Sequence, residues 1–429
     1  MKLRLLPPAE GAKLHFRLPG SVWSGLVLLS AALAAGGGIV ERIPPQALHL
    51  FQVFASKLGH SVEVEGDRVR VEYVPGRAGG EAVINVGCSF DYATFIGVVA
   101  GAVAPPGMRV TLRGCEELVE ADWRPLLEAV AVYGGRAWPA GSPSSLVIIE
   151  SVGRGRLRAG LWRVMRREDT VAHIAGLIVA ALAAPARTYV LVWPRDPPAK
   201  SDIDPAVYAA EKLASIEYSP AYNRFSIEPG EGGERLVNRP ECALALHLAG
   251  LAASGYTVTL KAWEAGNTPY EPIGLSKMIL EQLGYKISIN SGELVVSGVE
   301  EQVRSKFWLL DYPEYAAPLL TLAAARRGEA TVEDVPKSYR DDAEEVIGLL
   351  ASLGYSVESG PERLRVMGEP QLLPSEPVAT CTSPHVLPAA ATLAATASTT
   401  ILVERAECLS RIWPEFYHDA EAGGLAKKL

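Results

Sequence analysis

The turn Leu18-Pro19-Gly20-Ser21 runs directly into an apolar helix expected over 24–35. Backbone N–H groups left unpaired at a helix N-terminus are ready donors to an anion, so this turn can receive a phosphate or a carboxylate. The most cationic stretch lies over 154–167, where Arg154, Arg156, Arg158, Arg163, Arg166 and Arg167 crowd together. Such a run is either a solvated face or a surface for an anion or an acidic partner. The five cysteines, Cys88, Cys115, Cys242, Cys381 and Cys408, are odd in number and show no CxxC spacing. Buried free thiols are therefore expected, rather than a disulfide framework or a zinc site.

Elements must hold these groups, and the clearest copy of a recurring unit spans 310–368. It reads as an apolar helix over 316–326, Gly328, a strand over 330–335, a helix over 342–353, Gly354, and a hairpin of strands at 356–358 and 364–366. The same succession recurs at roughly 70-residue spacing, which points to stacked supersecondary units. A first unit has helices over 24–35 and 46–58 and paired strands at 61–64 and 68–71. A second has helices over 91–104 and 125–133. The third, with helices over 173–183 and 205–214, is the least regular, carrying prolines at 194, 197 and 198 and a polar stretch over 218–224. The Gly- and Glu-rich stretch 228–234 reads as a linker. A fourth unit has helices over 242–252 and 272–283 and a hairpin through Ser291-Gly292, and a sixth, from His385 onward, lacks a closing hairpin.

At 429 residues the chain calls for two domains, and 48% hydrophobic against 21% charged residues is ample for two cores. Grouping the units three and three, with Ala-rich helices inward and strands outward, gives two similar domains with a ligand position in the cleft between them. The excess of 49 acidic over 41 basic residues gives no support to a nucleic-acid surface. The apolar run over 26–40 contains three consecutive glycines and is too short for a membrane span. With no charged leader and cleavage site ahead of it, a cytoplasmic protein without membrane association is expected.

The segment Glu407-Cys-Leu-Ser-Arg-Ile-Trp-Pro-Glu-Phe-Tyr-His-Asp419, with Leu18 to Ser21, Leu112 to Leu127 and Pro313 to Gly354, resembles the enolpyruvyl transferases, and among them the 5-enolpyruvylshikimate-3-phosphate (EPSP) synthase family. The resemblance implies two inside-out α/β barrel-like domains, each of three βαβαββ units. The first is discontinuous, 1–19 plus 237–429, and the second is 20–236. It implies transfer of the enolpyruvyl group of phosphoenolpyruvate to shikimate 3-phosphate in aromatic amino-acid biosynthesis, by addition and then loss of phosphate. No metal or organic cofactor is implied. Two small anionic substrates need Arg, Lys, Ser and backbone donors, and a carboxylate to take the hydroxyl proton.

Carried over residue by residue, the resemblance gives Glu314, in Pro313-Glu314, as the base; a helix N-terminal carboxylate is the plainer alternative. Ser21 and His385 would line the cleft, Arg411 would hold phosphoenolpyruvate, and His173 falls at a shikimate-phosphate position. Arg124, Lys337 and Arg340 are further candidate cations. Many family positions are substituted. Val22 and Trp23 follow Ser21 where the family has Lys-Ser, Val27 stands for an Arg, and Cys88, Ser89, Phe90 and Asp91 replace its Asn-Ser-Gly-Thr loop. Pro384 and Val386 flank His385 in place of Asp and Arg, and Asp342 replaces an Arg. Cys115 lies near the reactive Cys of the cell-wall enzyme, without its surrounding motif. Three functions stay open: a transferase of this family with a rewired site, a transferase-like enzyme for a less anionic substrate, or a non-catalytic or repurposed binding protein with a protein partner. An apolar cleft filled by Trp23 and Phe90 would sink the first two.

Overall fold

The computed structural model describes residues 1–76, 79–142, 145–165, 170–193, 200–230, 232–262, 272–290, 292–300, 306–309, 311–360, 362–370 and 377–429. Arg166, Arg167, the prolines at 194, 197 and 198, and Ser291 lie outside them. The chain divides into two compact units, one of Met1–Gly20 with Pro240–Leu429 and one of Ser21–Arg239.

Each unit holds three four-stranded sheets of one pattern among the described residues: a parallel pair, then two strands added antiparallel. In the sheet built from 306–367, Lys306–Trp308 runs parallel to Glu329–Glu333, which pairs antiparallel with Arg363–Met367, and that strand pairs with Ser356–Ser359. The second sheet of this unit begins with Lys13–Arg17 beside Thr257–Lys261. The third begins with Val378–Thr380 beside Ile401–Glu404. As expected, no hairpin closes that last sheet. The two ends of the chain do so instead, Lys2–Leu5 pairing with both Ile401–Glu404 and Ala426–Lys428.

Small and apolar residues on every side make a helix that is buried all round. In the first unit these are Cys242–Leu246 running on as a 3-10 helix over His247–Ser254, then Ala316–Ala325 and Val386–Thr396. In the second they are Val22–Ala34, Phe90–Val103 and Ala172–Leu182. The sheets lie outside them, with alternating burial along their strands. Gly250 shows how close the interior helices come: a Cβ there would sit 2.6 Å from Thr392 Cγ2. Most of the apolar run over 26–40 belongs to the 13-residue helix Val22–Ala34 at the core of its unit. No helix among the described residues is long and apolar enough to cross a membrane.

Two expectations are corrected. The strand Arg224–Pro229 begins in the polar stretch 218–224 and ends in the expected linker 228–234, and it pairs with Ala214–Tyr218. Its alternation carried the signal, since Phe225 and Ile227 are fully buried between more exposed polar neighbours, but the Gly and Glu that follow masked it. The cysteines are not all free thiols, because Cys381 and Cys408 form a disulfide with Cα atoms 6.0 Å apart. Cys381 directly follows Val378–Thr380, and Cys408 follows the neighbouring parallel strand Ile401–Glu404, so topology brings together residues 27 positions apart.

Candidate active site

The centre of the first unit is not wholly apolar. His247, fully buried on the 3-10 helix, places Nδ1 2.8 Å from Thr321 Oγ1 on Ala316–Ala325. Its Nε2 lies 2.9 Å from Nδ1 of His385, which caps Val386–Thr396. On its far side, His385 Nε2 stands 4.0 Å from Asp342 Oδ2. Asp342 accepts a 2.6 Å hydrogen bond from Ser383 Oγ, and Ser383 Oγ accepts from the His385 N–H at 3.2 Å. Thr392 Oγ1 donates to the His247 carbonyl at 2.7 Å. One polar chain therefore joins all three interior helices and ends at the half-exposed Asp342.

Only one proton can sit between the two imidazoles, and this fixes how the chain works. With His385 neutral, its Nε2–H faces the Asp342 carboxylate, its Nδ1 accepts from His247 Nε2–H, and the Thr321 hydroxyl donates to His247 Nδ1. When His385 is doubly protonated, its Nδ1–H must donate to His247, whose proton moves to Nδ1 and is accepted by Thr321. The Thr321 hydroxyl then turns to the Ala317 carbonyl, 3.5 Å away. Thr321 can thus pair with His247 in either tautomer without leaving a buried group unpaired. Burial, and then the His385 ring beside it, hold His247 well below the usual histidine range.

The other candidates of this unit are placed as follows. Glu314 lies half-buried in the 3-10 turn Pro313–Tyr315 at the N-terminus of Ala316–Ala325. Lys337 is exposed at the start of Lys337–Ser352. Arg340 is occupied structurally: its Nε meets Glu344 Oε1 at 2.7 Å, and Nη2 bonds the Gly360 carbonyl. Arg411 is exposed in the turn before Glu415–Ala422 and has no ion-pair partner among the described residues. Its neighbour Glu407 is taken by the Met1 amine. Much of the closing segment is architectural, since Asp419 binds the Arg17 guanidinium at 2.8 Å and Trp413 Nε1 donates to the Arg17 carbonyl at 2.6 Å.

In the second unit the candidates serve structure. Ser21 is buried and caps Val22–Ala34, its Oγ accepting from Ser24 N at 3.4 Å. His173 is buried with Nε2 3.0 Å from the Met165 carbonyl. Arg124 is bound through its Nε to both oxygens of Asp122, at 2.7 and 2.8 Å. Trp23 stacks on Tyr92 at 5.9 Å and meets Phe95 edge-on, while Phe90 meets Trp123 edge-on at 5.1 Å. Aromatic contacts thus occupy the loops where the sequence lacks the family's Lys and Asn-Ser-Gly-Thr. Arg154, from the basic run, donates to the Ala34 and Ala35 carbonyls at 3.0 and 2.9 Å and so caps a helix C-terminus. Partial burial, with Cys88 and Glu117 beside it, pushes the Cys115 thiol up to about 12, the reverse of an activated nucleophile. A cavity of about 660 Å³ in this unit is lined by Arg163 of the basic run, by Met165, whose carbonyl His173 contacts, and by Trp193 and Arg224.

Sequence reasoning missed His247. The signal was present, a single histidine in an otherwise apolar run over 242–253.

Residues 241–412 match the family described as EPSP synthase (3-phosphoshikimate 1-carboxyvinyltransferase), a stretch that contains His247, Glu314, Thr321, Asp342, His385 and Arg411. The fold matches over the full length. EPSP synthase from Acinetobacter baumannii superposes with a TM-score of 0.71 at 16% identity, covering 100% of both chains. The chain has the fold of the EPSP synthases, and residues 241–412 resemble them in sequence. The enolpyruvyl transferase NikO from Streptomyces tendae is similar too, with a TM-score of 0.69 at 15% identity over 99% of this chain and 98% of that one. No curated protein matches the sequence. The EPSP synthase relationship therefore rests on fold throughout and on sequence across 241–412. It carries the two α/β units of three βαβαββ modules each, with helices inside and sheets outside.

Proposed function

We propose that this protein is an enolpyruvyl-transferase-type enzyme whose proton-handling groups lie in the first unit, with phosphoenolpyruvate as donor and shikimate 3-phosphate as the acceptor that the family resemblance implies. The observation that supports it is the chain from Asp342 through His385 and His247 to Thr321. Burying imidazole pairs in a core of Ala and Leu is costly unless every group is satisfied, and a scaffold alone has no use for a histidine that can change charge there.

In the reaction the acceptor hydroxyl oxygen bonds to the central carbon of phosphoenolpyruvate as its proton leaves, and the methylene carbon takes up a proton. Loss of a methyl proton and of phosphate then restores the double bond. Glu314 is the base for the hydroxyl proton. His385 donates a hydrogen bond to the departing phosphate, and Arg411 meets an anionic oxygen of the donor.

A second reading, a binding protein on the same fold, is favoured by the second unit, where Trp23 and Phe90 pack on aromatic neighbours and Asp122 holds Arg124. Calorimetric titration with shikimate 3-phosphate, alone and with phosphoenolpyruvate, separates the two when phosphate release is followed in parallel. Binding with turnover supports the enzyme. Silence in both assays transfers the assignment to a binding or partner role.

A further inference from the structure

We infer that Cys88 and Cys115 are an oxidisable pair, a modification site that closes to a second disulfide by exchange with a small-molecule or protein disulfide. The inference is independent of the proposed reaction.

The two residues occupy the topological position of the disulfide already formed in the first unit. Cys88 follows Glu81–Asn85 and Cys115 follows Arg109–Arg113, which are neighbouring parallel strands, as Cys381 and Cys408 follow a parallel pair. The separation is also the same: 115 − 88 is 27, and Cys381 and Cys408 are 27 apart. The ladder continues beyond the strand ends, with Val86 N donating to the Arg113 carbonyl at 2.8 Å and Cys115 N to the Gly87 carbonyl at 3.2 Å. This holds the two loops at strand-pair distance. Gly114 is needed for that approach, because a Cβ there would lie 2.6 Å from the Gly87 oxygen.

Both loops are fixed on their far sides. Ser89 caps Phe90–Val103 through Tyr92 N, and Leu118 N donates to the Cys115 carbonyl at 3.2 Å. The two sulphur atoms and a Glu117 oxygen lie within 4.8 Å of one another. Closing the bond requires the sulphurs to approach from that range to about 2.05 Å. Cys88 is exposed and Cys115 half-buried, so a solution oxidant reaches Cys88 first.

The exchange balances in two steps. The Cys88 thiolate attacks the oxidant disulfide and expels one thiol, leaving a mixed disulfide. The mixed disulfide removes the Cys88 thiol's part in holding the Cys115 proton, and Cys115, slowly losing that proton to solvent, then attacks the Cys88 sulphur and expels the second thiol. Two protein thiols become one disulfide, and one oxidant disulfide becomes two thiols. The bond would tie the turn before Phe90–Val103 to the turn before Glu116–Leu118.

The test treats the full-length protein with oxidised glutathione, counts thiols under denaturing conditions, and maps disulfides by peptide mass. With Cys381–Cys408 formed, the cysteines in thiol form are Cys88, Cys115 and Cys242. The expected result is a fall from three thiols to one, with a peptide pair linked through Cys88 and Cys115. Cys88→Ser and Cys115→Ser should each leave Cys242 as the thiol and end, at the remaining member of the pair, as a glutathione adduct. Three persistent thiols after prolonged exchange would overturn the inference. So would separate glutathione adducts on Cys88 and Cys115 in the wild type. Two thiols beside a carboxylate are also a donor set for a soft divalent cation, which gives a further opposing outcome. Protection of both thiols by added Zn²⁺, with no linked peptide ever formed, would make the pair a metal site instead.

Discussion

Nδ1 of His385 and Nε2 of His247 lie 2.9 Å apart among small and apolar side chains, so two rings from separate helices share one proton. Burial holds His247 well below the usual histidine range, and Thr321 can pair with either of its tautomers. Nitrogen-detected NMR of the imidazoles should find His247 with a single ring proton at about pH 6, where an exposed histidine is mostly charged. A doubly protonated His247 at that pH would contradict this arrangement.

Removing His247 strips His385 of its partner and opens a cavity among three helices. His247→Ala should cost about 2–4 kcal/mol in denaturant unfolding. A cost near zero would mean that the chain contributes nothing to the core.

Acid should weaken the fold through its buried histidines. Burial lowers the proton affinity of both His247 and His60, the latter against hydrogen bonds to Val103 and Val74 that partly restore it. Above about 6.5, the value in the unfolded chain, neither state binds these protons and stability is full. As pH falls below 6.5 the unfolded chain takes up protons that the folded chain refuses, and stability is lost until the lower folded values are reached, at up to about 1.4 kcal/mol per pH unit for each histidine. Thermal unfolding between pH 7.5 and pH 5 should show this decline, and His60→Gln should remove part of it. A flat profile would contradict it.

The Cys381–Cys408 bond closes a loop with a sequence separation of 27, which in the chain-entropy model stabilises by about 3.5 kcal/mol. Reductant or Cys408→Ser should lower the unfolding midpoint accordingly. An unchanged midpoint under conditions where mass analysis shows the bond broken would contradict that value.

Arg154→Ala removes the donors to the Ala34 and Ala35 carbonyls at the end of a buried helix. A loss of about 1–3 kcal/mol in denaturant unfolding is expected, against less than about 0.5 kcal/mol if Arg154 belonged to a solvated face.

Most of the architecture was legible because each repeat obeys local rules. All-round apolar helices, Gly stops and alternating strands read the same in the sequence as in the fold, and Gly328 to Gly354 is the plainest instance. What failed was long-range. The closure of the last sheet by Lys2–Leu5 joins the two ends of the chain, and the strand Arg235–Val237 pairs with Gly37–Glu41, neither of which periodicity can show. The equal cysteine separations were visible, but a search for CxxC spacing cannot find pairs that depend on neighbouring parallel strands. At the site, His385 was legible through the family resemblance, whereas His247 and Thr321 take their meaning only from helix packing. Arg124 and Arg340 were read as cations available to a ligand, because sequence does not show that Asp122, Glu344 and Gly360 engage them.

Proton handling for enolpyruvyl transfer in the first unit, as proposed, is tested by phosphate release from phosphoenolpyruvate in the presence of shikimate 3-phosphate. Release should require both substrates and fall at least about 100-fold in Glu314→Gln and in His385→Ala. No release by a folded wild-type protein, or release that survives both substitutions unchanged, would contradict it.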